Sequence, residues 1–139
     1  YEARTVHESS LSPCVHAILA AKLGLMDKAY EMYLRTSRLD LDDYNREVEE
    51  GCHVTSMAGS WLSVVEGFGG MRVRDGVLSF EPHLPEAWRH LAFRIDYRGR
   101  VLSVKIMRAA VEITCEGEAI EIMLAGERLT VDGTVSRTF

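Results

Sequence analysis

The chain has 139 residues, 47% of them apolar and 27% charged, with a net charge of −5. That length fits one average domain, or a small domain with a piece of another, and the apolar content excludes a disordered chain. The acidic balance argues against nucleic acid, which selects basic faces, and no apolar run approaches the roughly 18 residues of a membrane span.

The opening Tyr1-Glu-Ala-Arg-Thr5 has neither an initiator methionine nor a signal-peptide pattern, so the chain reads as cut from a longer one. Cys14, Cys52 and Cys115 are odd in number, widely spaced and without CxxC pairing. They suggest buried thiols in a reducing, cytoplasmic compartment rather than a disulfide framework or a metal site.

Residues 1–12 are polar, and Ser12-Pro13 predicts a helix start, with serine as N-cap and proline in the first position. Val15, Ile18, Leu19 and Leu23 fit one face of that helix, and Gly24 closes it. A second helix is expected from about Asp27, with Ala29, Tyr30, Tyr33 and Leu34 on one side, forming an antiparallel hairpin with the first. Residues 39–52 form an acidic connector and read as a solvated loop. A third helix starts near Thr55 or Ser56. Ala58, Trp61, Leu62 and Val65 recur along it, Trp61 reads as core rather than a sugar platform, and Gly67, Gly69 and Gly70 end it.

After Gly70 the apolar period changes from 3.6 to 2. Met71 to Phe80 is a hairpin signal, with Asp75-Gly76 suited to a type I′ turn. Short alternating runs follow at spacings of about ten residues, as expected of an antiparallel sandwich, with Trp88 as a lid over its core. Arg94, Arg98, Arg100 and Lys105 read as solvated strand faces. The fold class is therefore α+β: residues 1–70 are the end of a helical domain, and residues 71–139 are a small antiparallel β-sandwich.

Two polar clusters carry possible chemistry. One is His7-Glu8-Ser9-Ser10, before the first helix; the other is Gly51, His53, Thr55, Ser56 and Gly59, at the start of the third. Helix capping alone explains either cluster. Yet each opens a core-facing helix, with one hairpin between them. In a barrel of paired helices such loops lie side by side at one end, where amides and hydroxyls suit a phosphate or a sugar. A Ser-His hydrolase lacks its G-x-S-x-G elbow here. His83 and His90 have no partners at metal-ligand spacing, so no metal is expected.

Arg4-Thr-Val-His-Glu-Ser-Ser-Leu-Ser-Pro-Cys-Val-His-Ala-Ile18 closely resembles the end of the catalytic domain in glycoside hydrolase family 65. Asp40-Leu-Asp-Asp-Tyr-Asn45 resembles it too, as does His53-Val-Thr-Ser-Met-Ala-Gly-Ser-Trp61 with Gly67-Phe-Gly-Gly-Met-Arg72. Leu78 to Pro82, Leu84-Pro85, Trp88 and Tyr97 to Leu102 continue the likeness, which covers about residues 1 to 107. The family contains maltose, trehalose, kojibiose and nigerose phosphorylases and some hydrolases.

The resemblance implies the last helices of an (α/α)6 barrel followed by the C-terminal β-sandwich. It also implies inverting phosphorolysis of an α-glucosyl disaccharide, maltose first, to β-glucose 1-phosphate and a free sugar. A glutamate general acid would precede this segment, so no catalytic residue is assigned within it and Glu8 is not given that role. Carried over residue by residue, the phosphate site is Ser9, Ser10 and His53, with Thr55, Ser56 and Gly59 as nearby candidates and His7 shaping its loop. Inorganic phosphate is then a co-substrate and no cofactor is expected. The full-length parent would be a cytoplasmic homodimer, and the isolated piece inactive. Glu8 keeps a family hydrolase open as an alternative. A stand-alone carbohydrate-binding or scaffolding sandwich is the other, although its strands show no row of exposed aromatics.

Overall fold

A computed structural model describes residues 4–5, 9–43, 46 and 48–139. The chain divides into two compact units, Tyr1–Phe68 and Gly69–Phe139.

The first unit is helical. It contains α1 (Ser12–Lys22), α2 (Met26–Ser37), the single turn α3 (Leu39–Asp42), a 3₁₀ turn (Val48–Glu50) and α4 (Val54–Leu62). From Ser63 to Phe68 the chain continues α4 as a π-helical segment. The turn preceding α1 is made by Ser9 rather than Ser12. Its Oγ accepts the Leu11 N–H at 3.3 Å and its carbonyl accepts the Ser12 N–H at 3.1 Å. Ser12 already lies inside the helix, and Pro13 follows where its missing N–H costs nothing.

The packing face of α1 is the reverse of the one expected. Cys14, Ala17, Ala20 and Ala21 are buried, whereas Val15 and Leu19 are half-exposed and Leu23 is 72% exposed. Helix α4 behaves the same way. Ser56, Gly59 and Ser63 face inward, whereas Val54, Met57 and Trp61 do not, so Trp61 is not a core residue in this chain. The reason is close helix approach. A Cβ built on Gly59 would lie 2.9 Å from Cys14 Cβ and 3.4 Å from Thr36 Cγ2, and one on Gly67 would lie 3.6 Å from Ile18 Cα. Small residues let these backbones approach at interior density, and large side chains are pushed to the other face. On α2 the buried positions are Ala29, Met32 and Thr36, and Tyr33 meets Phe68 edge-on at 5.6 Å.

The acidic connector is not a plain loop either. Leu39 is buried at 6% exposure, and Arg38 forks onto Asp42 with bonds of 2.7 and 2.6 Å.

The second unit is a β-sandwich. Its strands are β1 (Arg72–Arg74), β2 (Val77–Phe80), β3 (His90–Tyr97), β4 (Arg100–Met107), β5 (Ala110–Glu116), β6 (Ile120–Leu124), β7 (Glu127–Val131) and β8 (Thr134–Thr138). They form two four-stranded sheets, ordered β1-β2-β6-β7 and β3-β4-β5-β8. The alternation read from the sequence sets the core: Leu78, Phe80, Leu102, Val104, Ile106, Val111, Ile113, Ile122, Leu124 and Val131 are all buried. Phe80 and Phe93 meet across the two sheets with ring centroids 6.3 Å apart. Asp75 and Gly76, at φ 51° and 76°, make the type I′ turn between β1 and β2.

One pairing departs from the antiparallel expectation: β2 runs parallel to β6, with Leu78 opposite Ile122. The chain leaves β2 for the other sheet and returns only after β5, so no hairpin forces these strands to be antiparallel. Trp88 is half-buried in the β2–β3 connection. Arg94 and Lys105 lie on the exposed face, where Arg94 pairs with Glu116 at 2.9 Å.

The cysteines are free and differ in access. Cys14 and Cys115 are buried, and Cys52 is exposed, contrary to the expectation of three buried thiols. Burial pushes the Cys14 thiol pKa up, and its Sγ donates to the Leu11 carbonyl at 3.2 Å. A neutral thiol is a poor nucleophile. Alkylation of the native chain followed by peptide mass mapping is expected to find Cys52 modified first. Modification of Cys14 at a comparable rate would contradict the buried packing of α1.

Candidate functional site

The two loops that open α1 and α4 are joined by a direct bond. The Ser56 hydroxyl donates to the Ser10 carbonyl at 3.0 Å, across 46 residues of sequence. Ser56 is the third residue of α4, so the Ser9-Ser10 loop is held within one turn of that helix's start. Ser10 is half-buried and Ser9 exposed. The bond from Leu11 N–H uses a lone pair of Ser9 Oγ and leaves its hydroxyl hydrogen to donate elsewhere. His7 and Glu8 lie outside the described residues.

His53 is the N-cap residue of α4, and its carbonyl accepts the N–H groups of Ser56 at 2.9 Å and Met57 at 3.2 Å. Its own N–H and ring are both held by Asp40. The backbone N–H donates to Asp40 Oδ2 at 3.0 Å, and ring Nδ1 lies 2.5 Å from Asp40 Oδ1. One carboxylate thus fixes the residue at two points. The ring bond, followed by the backbone bond, holds the Asp40 carboxyl pKa below its usual value, against a smaller opposing effect of desolvation.

Not every candidate faces the same way. Gly59 is buried against Cys14 and Thr36, which gives it a packing role between helices. The Ser56 hydroxyl proton is committed to Ser10, so this side chain ties the loops together. Thr55 is exposed beside His53 on the first turn of α4. Sequence reasoning left Asp40 in the solvated connector. The usable signal was the short acidic motif beginning there, 13 residues before a histidine at a helix start.

Chemically, the cluster offers two serine hydroxyls and an imidazole at the start of a nine-residue helix. The hydroxyls donate, a doubly protonated ring donates as well, and the helix dipole adds positive potential, so the arrangement suits an oxyanion. Among the described residues, no group of three or more His, Cys, Asp or Glu could hold a metal ion, and no helix is long and apolar enough to cross a membrane.

Ser56→Ala tests the tie between the loops. It leaves the half-buried Ser10 carbonyl without this donor, at a cost of about 1–3 kcal/mol. The melting temperature is expected to drop and proteolysis before Ser12 to accelerate. Unchanged cleavage would mean that the bond does not hold the loop.

Comparison with known proteins follows the same division. A model described as the glycosyl hydrolase family 65 central catalytic domain matches residues 1–62, and one for the family 65 C-terminal domain matches residues 71–131. Maltose phosphorylase of Bacillus subtilis (strain 168) is 50% identical over 139 residues, covering 99% of this chain and 18% of that protein. Alpha,alpha-trehalose phosphorylase of Thermoanaerobacter brockii is 47% identical over 133 residues, covering 95% of this chain and 17% of that protein. A solved structure of a candidate kojibiose phosphorylase from the human microbiome superposes with a TM-score of 0.94 at 36% identity, covering all of this chain and 21% of that one. The chain therefore spans about a fifth of the length of the relatives it matches. It belongs to glycoside hydrolase family 65, with sequence of the central catalytic domain followed by that of the C-terminal domain.

Proposed function

We propose that the protein carrying this chain is a disaccharide phosphorylase. It cleaves an α-glucosyl disaccharide, maltose as the first candidate, by inverting phosphorolysis to β-glucose 1-phosphate and a free sugar. The observation that carries the reading is the Ser56–Ser10 bond, which brings two donor-rich loops to one place. Phosphate bound there by Ser9, Ser10 and His53, with Thr55 nearby, attacks the anomeric carbon from the face opposite the leaving oxygen. In that position it replaces the base-activated water of an inverting hydrolase. The donors hold an anion in line and lower the charge repulsion that opposes its approach. A general-acid glutamate, placed upstream of this segment, protonates the leaving oxygen.

Two apolar stripes support a larger parent over a stand-alone sandwich module. Leu11, Val15, Leu19 and Leu23 run down α1, and Val54, Met57 and Trp61 run down α4. Such stripes ordinarily mark surfaces that another element covers. In this reading the rest of the catalytic barrel covers them in a cytoplasmic, homodimeric enzyme.

The test is an assay of the full-length enzyme on maltose, trehalose and kojibiose, with and without inorganic phosphate, read by anomeric proton NMR. Phosphate-dependent appearance of β-glucose 1-phosphate is expected. Release of two free sugars without phosphate would establish the hydrolase instead.

A further inference from the structure

Asp40 holds His53 in a way that limits how this histidine can meet an anion. An ionised carboxylate only accepts hydrogen bonds, so the 2.5 Å contact requires Nδ1 of His53 to carry a proton. A neutral ring of that tautomer presents a lone pair at Nε2. Toward a deprotonated phosphate oxygen that lone pair is repulsive, and only a doubly protonated ring donates from both nitrogens.

We propose that Asp40 is a positioning residue of the phosphate site, turning His53 so that it meets phosphate through Nε2 as a charged donor. This rests on the phosphate reading given above. The carboxylate acts through His53 and does not itself touch the anion, which it would repel. Its second oxygen takes the His53 backbone N–H at 3.0 Å, so ring and helix start are fixed together. The arrangement parallels metal sites, where a carboxylate behind a histidine sets its tautomer and raises its basicity. Helix capping alone would require only the backbone bond, and the ring contact is what points further.

The experiment is a set of variants in the full-length enzyme: Asp40→Asn, His53→Ala and the pair combined. Asparagine keeps an oxygen for the His53 backbone N–H and removes the charge behind the ring. Asp40→Asn is expected to raise KM for phosphate about tenfold, the loss of a charge-assisted bond, with KM for the disaccharide within twofold. The double variant is expected to be no worse toward phosphate than His53→Ala, because both act through one ring. If His53→Ala raises KM for phosphate and Asp40→Asn does not, the inference falls and the phosphate reading stands. If His53→Ala leaves KM for phosphate unchanged, the phosphate reading itself falls, and the inference with it. Equal rises in both KM values for Asp40→Asn would reduce Asp40 to a cap and overturn the proposal. Should that variant not fold, ¹⁵N spectra of histidine-labelled wild-type enzyme with saturating phosphate give the answer directly. Both His53 ring nitrogens are expected in the protonated range, and a neutral ring would overturn the proposal.

Discussion

His53→Ala in the full-length enzyme is expected to raise KM for inorganic phosphate by about 10- to 100-fold, with KM for the disaccharide changed by no more than a few-fold. The magnitude is that of one hydrogen bond to a charged group, about 1.5–3 kcal/mol. The split between substrates follows from position. The His53 ring is held at the entrance of α4 by Asp40, and Ser56 on the first turn of the same helix is bonded to Ser10, whereas the sugar contacts of this reading lie mainly upstream of the chain. Ser10→Ala should act in the same direction with a smaller effect, because a hydroxyl is a neutral donor. The reverse reaction gives an independent check: use of β-glucose 1-phosphate should weaken in parallel, since in the proposed site its phosphoryl group would occupy the same donors. Equal losses toward phosphate and disaccharide would point to a distorted barrel rather than a missing phosphate contact.

The sandwich was more legible in the sequence than the helical unit, for a physical reason. A strand has two faces and a period of 2, so Leu78 and Phe80, or Val111, Ile113 and Cys115, declare their inward side directly. The parallel β2–β6 pair was not legible, because pairing between distant strands leaves no turn signature. Helices α1 and α4 have apolar residues around more than one side, and the reading that large means buried missed the small-residue face on which they pack within this unit. Cys14 faces Gly59 and Ala21 faces Gly67, where close backbone approach selects small residues, leaving Val15, Leu19 and Trp61 outward. At the candidate site, the side-by-side placement of the loops was readable from helix order. The partners were not: Asp40 on His53 and Ser56 on Ser10 depend on long-range geometry that local spacing does not encode.

Gly70→Ala is expected to be among the most damaging single substitutions in the sandwich, costing about 3 kcal/mol or more. Gly70 precedes β1 and continues its register with β2, and its carbonyl accepts the Glu81 N–H at 3.2 Å. Its φ of +61° is left-handed, which alone costs an alanine about 1–2 kcal/mol. The larger cost is steric. A Cβ there would overlap the Glu81 carbonyl carbon and oxygen and lie 2.7 Å from the Glu81 nitrogen. These are backbone atoms, so no rotamer change relieves the clash, and the strands must separate where Phe80 enters the core at 0% exposure. Gly126→Ala separates the two contributions. Gly126 is also left-handed, at φ +84°, but has nothing within 4 Å of the added Cβ. Urea unfolding of both variants in one background should therefore show a modest loss at Gly126, from backbone conformation alone, and a loss at least twice as large at Gly70. Matching midpoints would mean that the Gly70–Glu81 approach relaxes at little cost, and that conformation alone explains this glycine.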